Sequence, residues 1–173
     1  MSQSTNLLSN LEQSRQSLCR LVADLMLKKQ SFLAAAESCT GGLIAAACTD
    51  LAGSSQWFDR GFVTYSNAAK TEMLGVDAAL ISQFGAVSEP VAAAMAQGAV
   101  KHSAAQAAVA VTGIAGPTGG SDEKPVGTVW IAWYVNGQTN TQLCHFEGDR
   151  TTVRALTVQQ ALKGLVERLE RLN

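Results

Sequence analysis

Ala34-Ala35-Ala36-Glu37-Ser38-Cys39-Thr40-Gly41-Gly42 is the stretch that decides how this chain folds, because small apolar residues run directly into hydroxyl groups and two glycines. An apolar helical segment over residues 43–51 follows. This order is typical of a buried strand that leads into the N-terminus of a helix. Such a junction presents a hydroxyl beside backbone N–H groups without helical partners, and these groups can hold an anion or a developing oxyanion.

A second polar cluster, Tyr65-Ser66-Asn67-Ala68-Ala69-Lys70, follows another segment that is rich in aromatic and β-branched residues. That segment is predicted to be a strand, and the cluster is predicted to open a helix. Ser38 is a possible nucleophile, and Lys70 is a possible acceptor for its proton. Together they predict an acyl-transfer enzyme that works without a catalytic histidine.

The composition is that of one globular domain. The chain has 173 residues, of which 47% are hydrophobic, so it can bury a full core and is not expected to be disordered. Its formal net charge is −1 and it has no basic block, which argues against nucleic-acid binding. It has no apolar run of membrane-spanning length and no signal peptide, so we expect a cytoplasmic protein without membrane contact.

The cysteine and histidine patterns indicate no metal site. None of the four cysteines forms a C-x-x-C pair, and no carboxylates are spaced with histidines as metal ligands. Free thiols fit a reducing compartment. We therefore expect no metal and no cofactor.

Hydrophobic periodicity predicts the order α, β, α, β, α, α, β, β, β, α, with a last helix over about residues 149–172. Asn136-Gly137 predicts a type I′ hairpin late in the chain. Early alternation and a late hairpin predict an α/β fold over 1–173, a three-layer α/β/α sandwich with a mixed, mainly parallel sheet. Ligands bind beyond the carboxyl ends of such strands, where residues 38–42, 65–70 and 113–125 are predicted to lie.

Ser38 and Lys70 can each have a purely structural role instead of a catalytic one. Ser38 is either a helix cap or a nucleophile, and Thr40 stands in the better capping position, directly before Gly41. Lys70 is either a solvated charge or a general base. A cation in the first turn of a helix meets the positive end of the helix dipole, and this position together with burial would lower the pKa of Lys70.

Tyr65 is either a strand aromatic with its hydroxyl at the surface, or a proton relay between Ser38 and Lys70, or a proton donor to the leaving group. Cys39 is the rival nucleophile, since a helix dipole stabilises a thiolate. On an extended strand, however, Cys39 and Ser38 point to opposite faces, and a catalytic cysteine also needs a histidine. Arg150, which opens the last helix, is either a ligand for phosphate or carboxylate or an exposed neighbour of a capping Asp149.

Five motifs that occur in order carry a family resemblance: Ala36–Gly42, Gly61–Asn67, Gly85–Glu89, Thr112–Pro117 and Lys124–Val129. With them the chain resembles the CinA C-terminal domain family over about residues 10–170. Stand-alone members of that family are nicotinamide mononucleotide deamidases of the PncC type. The resemblance implies hydrolysis of the carboxamide of this nucleotide to nicotinic acid mononucleotide and ammonia, a recycling step for pyridine nucleotides.

The resemblance also implies roles for individual residues. It makes Ser38 and Lys70 catalytic, with assistance from Tyr65. The residues predicted to bind the substrate are Thr40, Gly41, Gly42, Thr112, Gly113 and Arg150. The oxyanion is expected at N–H groups near Gly41 and Gly42 or at Gly113, and the phosphate at a helix N-terminus or near Arg150.

The expected partner is a small nucleotide, and by family likeness the chain forms a homodimer or a larger homo-oligomer. Two other functions stay open at this stage. One is a non-enzymatic module associated with competence or recombination, and the other is an amidase for a different small amide.

Overall fold

The structure, a computed structural model, describes residues 3–171, with side chains described from Leu8 onward. The described residues form one five-stranded sheet flanked by helices. Their order follows the prediction except between the second and third strands, where three helices lie instead of the predicted two. The elements are α1 (Gln3–Lys28), β1 (Leu33–Glu37), α2 (Leu43–Thr49), β2 (Phe58–Val63), α3 (Asn67–Leu74), α4 (Ala78–Phe84), α5 (Glu89–Lys101), β3 (Ala107–Gly113), β4 (Thr128–Val135), β5 (Gln138–His145) and α6 (Arg150–Glu170). The predicted end of the last helix at residue 172 lies outside the described residues.

The strands are arranged in the order β2-β1-β3-β4-β5. β1 pairs in parallel with β2 and β3, whereas β4 is antiparallel to both β3 and β5. Four strands therefore run in one direction and β4 runs against them, which confirms the mixed, mainly parallel sheet. The turn between β4 and β5 has φ values of 53° at Asn136 and 76° at Gly137, as a type I′ hairpin requires.

Helices cover both faces of the sheet, which confirms the three-layer sandwich. α1, α2 and α6 pack on one face, and α3, α4 and α5 pack on the other. Every residue of β1 is buried because this strand lies between two neighbours and under both helical layers. Ala35 contacts the first layer, whereas Ala34 and Ala36 contact the second.

Trp133 on β4 packs against α6 and forms a hydrogen bond with it. Its indole Nε1–H donates to the carbonyl oxygen of Ala161 at 2.9 Å, and the guanidinium of Arg168 lies 3.8 Å from the ring centroid. A Cβ atom at Gly164 would come within 2.2 Å of the indole, so only glycine lets the helix approach this closely. This packing fixes the helix whose first residue, Arg150, lies at the carboxyl edge of the sheet.

Two features concern the surface. No helix within residues 3–171 is both long and apolar enough to cross a membrane. Leu143 on the edge strand β5 is 54% exposed. Self-association stays a prediction.

Candidate active site

The carboxyl ends of β1, β2 and β3 meet around a cavity of about 190 Å³. All three predicted loops contribute to its walls, with Ser38 after β1, Lys70 after β2 and Gly113 at the end of β3. The connection between α4 and α5, through Ala86 and Val87, completes the wall. Sequence reasoning did not predict that last contribution, because no polar or catalytic residue type marks it.

Ser38 and Lys70 are in direct contact. Lys70 Nζ lies 3.1 Å from Ser38 Oγ and 2.8 Å from the carbonyl oxygen of Thr64, which accepts a hydrogen bond from it. The side chain of Lys70 is almost completely buried, with 1% of its surface exposed. The predicted convergence of the two side chains is therefore confirmed.

The start of α3 explains how Lys70 reaches the nucleophile. Ser66 caps the helix by accepting a hydrogen bond from the N–H of Ala69 at 3.0 Å. Lys70 consequently lies in the first turn, from which a long side chain points back toward the N-terminus of its helix. That direction leads to the end of β2 and to the Ser38 hydroxyl on the adjacent strand.

The surroundings of Lys70 favour the uncharged amine. Burial lowers the pKa of Lys70 from its usual value, and within residues 3–171 it forms no ion pair with a carboxylate. A carbonyl oxygen can only accept, so Lys70 donates one N–H to Thr64. Loss of a proton from Lys70 would leave the nitrogen lone pair facing the Ser38 hydroxyl, 3.1 Å away.

The surroundings of Cys39 argue against this residue as the nucleophile. Burial raises the pKa of the Cys39 thiol to about 12, so the thiol is protonated at neutral pH. Neither histidine lies in the cavity wall: His102 follows α5, and its Nδ1 is 3.0 Å from the carbonyl oxygen of Gly98, whereas His145 ends β5. Cys39 thus lacks the histidine that a catalytic cysteine needs.

Glu37 is a site residue that sequence reasoning missed. It is fully buried, and its carboxylate accepts hydrogen bonds from the Thr40 hydroxyl at 2.6 Å and from the N–H groups of Gly42, Ile44 and Ala45 at 3.1, 3.0 and 2.8 Å. The carboxylate therefore caps α2, and the prediction that Thr40 does so is wrong. A lone charged residue in an apolar strand was the available signal, because such residues are buried only with partners.

The N–H groups of Gly41 and Gly42 are used within the turn and are not free for an oxyanion, whereas the alternative at Gly113 stays a prediction. The N–H of Gly41 donates to the carbonyl oxygen of Ser38 at 3.1 Å, and the N–H of Gly42 donates to Glu37. Both glycines have positive φ values, 59° and 100°, which only glycine adopts without strain. Their role in the structure is to turn the chain tightly between β1 and α2.

Arg150 and Tyr65 form the rim of the cavity. Arg150 donates from Nη1 to the carbonyl oxygen of Gly116 at 2.9 Å and from Nη2 to the Tyr65 hydroxyl at 3.1 Å. Asp149 caps α6 by accepting from the N–H of Thr152 at 2.8 Å. Tyr65 is 63% exposed, and because Lys70 already contacts Ser38 directly, no relay through Tyr65 is needed between them.

Thr112 and Gly113 shape the opposite wall. The Thr112 hydroxyl is buried and donates to the carbonyl oxygen of Ala86 at 2.8 Å, which holds the α4–α5 connection against β3. A Cβ atom at Gly113 would lie 2.6 Å from a methyl group of Val129 and 2.9 Å from the carbonyl oxygen of Thr128. Glycine is therefore required there by close packing.

Comparison with known proteins gives consistent matches. A protein named nicotinamide-nucleotide amidohydrolase PncC from Escherichia coli K12 is 56% identical over 131 residues, which cover 75% of this chain and 79% of that protein. A CinA-like protein from Akkermansia muciniphila is 55% identical over 135 residues, but the match spans only 33% of its length.

The fold is also shared with solved structures. The crystal structure of the competence/damage inducible protein CihA from Agrobacterium tumefaciens superimposes with a TM-score of 0.86 at 48% identity, covering 91% of this chain and 96% of that one. The family model described as the CinA C-terminal domain matches residues 15–169. The chain therefore belongs to the CinA C-terminal domain family.

Proposed function

We propose that this protein is a nicotinamide-nucleotide amidohydrolase, which converts nicotinamide mononucleotide to nicotinic acid mononucleotide and ammonia in pyridine nucleotide recycling. The observation that carries the proposal is the 3.1 Å contact between the buried Lys70 amine and the Ser38 hydroxyl at the carboxyl edge of the sheet. The relatives named PncC support the choice of substrate.

The first half of the reaction acylates the serine. Neutral Lys70 takes the hydroxyl proton of Ser38 while Oγ attacks the carbon of the carboxamide. The carbonyl oxygen of Thr64, 2.8 Å from Nζ, orients the amine and stabilises the ammonium ion that forms. The carboxamide oxygen becomes an oxyanion, which needs backbone N–H donors close to Ser38.

The second half releases both products. The Lys70 ammonium returns its proton to the departing nitrogen, so the C–N bond breaks and ammonia leaves. A water molecule then gives a proton to Lys70 and attacks the acyl-enzyme. When the ester bond to Oγ breaks, the proton returns to Ser38, and nicotinic acid mononucleotide is released. Each step moves one proton to or from the amine of Lys70.

The size of the cavity suggests which part of the nucleotide it encloses and which part lies at the rim. A cavity of about 190 Å³ is smaller than a pocket that encloses a whole ligand of this size, which is typically at least about 300 Å³. The carboxamide and the pyridine ring fit the cavity, and the ribose phosphate extends toward the rim. The guanidinium of Arg150 has N–H donors beyond those used for Gly116 and Tyr65, and these suit a phosphate.

Arg150→Gln is expected to weaken binding of the phosphate more than it slows the chemical step. We expect KM for nicotinamide mononucleotide to rise about tenfold with a smaller change in kcat, because a charged hydrogen bond to the phosphate is lost in ground and transition states alike. Nicotinamide riboside, which lacks the phosphate, is the control substrate. If the variant loses as much activity on the riboside as on the nucleotide, Arg150 acts by holding Tyr65 and Gly116.

The proposal as a whole is tested by assaying the purified chain for ammonia release against a panel of amides. The panel contains nicotinamide mononucleotide, nicotinamide, the riboside, the dinucleotide and glutamine. We expect turnover of the mononucleotide with one ammonia per acid formed. Preference for another amide would show an amidase of different specificity. If no amide of the panel releases ammonia, a non-enzymatic competence or recombination module is favoured.

A further inference from the structure

The carboxylate of Glu37 gathers four hydrogen-bond donors at the turn that carries the nucleophile. Oε2 accepts from the Thr40 hydroxyl and from two backbone N–H groups, and Oε1 accepts from the N–H of Ala45. The backbone of Glu37 also takes part, since its carbonyl oxygen accepts from the N–H of Thr64 at 2.8 Å. Glu37 thus connects the Ser38 turn with the residue whose carbonyl oxygen holds Lys70.

Only an acceptor with two oxygens satisfies this arrangement. A glutamine in the same position would place an NH₂ group, which can only donate, against either the N–H of Ala45 or the donors around Oε2. The result is one buried donor facing another, and a buried polar group without a partner is expensive. Glu37 is also an internal anion at the start of α2, so it fills the place that a phosphate or an oxyanion would take there.

With the α2 N-terminus filled, the remaining donors beside Ser38 lie earlier in the turn. The N–H of Ser38 is used by the carbonyl oxygen of Val111, and the N–H of Gly41 closes the turn onto the carbonyl oxygen of Ser38. Within residues 3–171, no oxygen accepts the N–H groups of Cys39 and Thr40. The residue after a nucleophilic serine is also the one that supplies an oxyanion donor in hydrolases with a strand–turn–helix nucleophile.

The Cys39 sulfur is near these two N–H groups but does not replace an anion. Both N–H groups favour the charged form of the thiol, yet burial outweighs them and keeps the thiol neutral. A neutral thiol is a weak acceptor, so the N–H groups of Cys39 and Thr40 keep most of their capacity to donate. Cys39 also lines the cavity next to Ser38.

We infer that Glu37 is a positioning residue that holds the turn so that the N–H groups of Cys39 and Thr40 bind the oxyanion. This inference rests on the proposed function for its substrate, but its core concerns any acyl transfer to Ser38. Glu37 itself does not touch the substrate. It acts by fixing Thr40 and the first turn of α2.

The test uses the full chain and three variants: Glu37→Gln, Thr40→Val and Thr40→Ser. Thr40→Val keeps the side-chain shape but removes the hydroxyl that donates to Glu37, whereas Thr40→Ser keeps that donor. We expect kcat for nicotinamide mononucleotide to fall about 10²-fold in Glu37→Gln, as when one oxyanion donor is lost, and about tenfold in Thr40→Val. Thr40→Ser should retain severalfold more kcat than Thr40→Val because it keeps the donor to Glu37, and KM should change little in all three.

A second substrate separates this inference from the proposed function. The small ester p-nitrophenyl acetate does not need the nucleotide site, and its acylation of Ser38 is read as release of p-nitrophenolate that is lost in Ser38→Ala. We expect the same order of acylation rates among the variants. If the ester acylates Ser38 but the nucleotide is not hydrolysed, the proposed substrate is wrong. The acylation rates of the variants with the ester then test whether Glu37 is a positioning residue.

Circular dichroism and thermal unfolding show which variants are folded. If Glu37→Gln does not fold, the comparison of Thr40→Val with Thr40→Ser decides. Folded variants with wild-type kcat would overturn the inference, as would a rise in KM with unchanged kcat. The absence of any Ser38-dependent reaction with both substrates would overturn the inference and the proposed function together.

Discussion

Replacing Ser38 with alanine is expected to abolish the release of ammonia from nicotinamide mononucleotide. The loss should be about 10⁴-fold or more, because the atom that forms the covalent bond is removed while only oxyanion stabilisation and binding remain. The nucleotide should still bind with an affinity close to that of the wild type, since the rim and the cavity walls are unchanged. A coupled ammonia assay measures the first result, and titration calorimetry measures the second.

Cys39→Ala is the matched control for this variant. It removes a side chain of similar size from the adjacent position in the same cavity wall. Because burial keeps the Cys39 thiol protonated, we expect this variant to keep its activity. Loss of activity in a folded Cys39→Ala, together with turnover in Ser38→Ala, would contradict the serine mechanism and restore the thiol as nucleophile.

Lys70→Arg is expected to lower kcat by about 10³-fold to 10⁴-fold, at the upper end of what a general base contributes. Arginine retains a positive charge but is not deprotonated in proteins, so it cannot accept the Ser38 proton. Lys70→Met, with similar volume and no charge, should be equally inactive. If Lys70→Arg keeps wild-type kcat, Lys70 has only a structural role.

The pH dependence of kcat/KM in the wild type should reflect the ionisation of Lys70. In the proposed mechanism the active form is the neutral amine, so kcat/KM should rise with pH and level off above the pKa of Lys70. Burial lowers that pKa, so the rise should occur below the ordinary value for lysine of about 10.4. This step should disappear from the residual activity of Lys70→Met.

Stability should respond to pH at the same residue. The pKa of Lys70 is lower in the folded chain than in the unfolded chain, so the unfolded chain binds more protons between the two values. The contribution of Lys70 to the free energy of unfolding therefore rises as pH increases through this window. Lys70→Met should lack this contribution, and urea unfolding at several pH values compares the two proteins. A Lys70→Met protein that is much less stable at every pH would contradict this account.

Except for one of the three helices between β2 and β3, the order of the elements could be predicted from sequence, because local patterns decide it. Ser66 and Gly75 mark the two ends of α3, and Asn136-Gly137 marks the hairpin. The pairing of Ser38 with Lys70 could also be predicted from the sequence. A cation in the first turn of a helix contradicts the local electrostatic rule, and such exceptions concentrate at functional sites.

The capping of α2 by Glu37 could not be predicted from local patterns. It depends on the turn through Gly41 and Gly42, which carries the start of the helix over the carboxylate. The partnership of Tyr65 with Arg150 joins residues that are 85 positions apart and follows from the packing of α6 on the sheet. Sequence spacing carries no information about contacts of this kind.

The contrast between the enclosed Lys70 and the open Tyr65 has an evolutionary consequence. In the proposed mechanism, bond breaking depends on side chains buried in the interior, whereas the choice of substrate depends on a few side chains that face water. Substitutions at positions 65 and 150 can thus alter ligand preference while bond breaking is inherited unchanged. Laboratory evolution toward other amides should begin at those two positions, and duplicated copies of the gene can diverge by the same route.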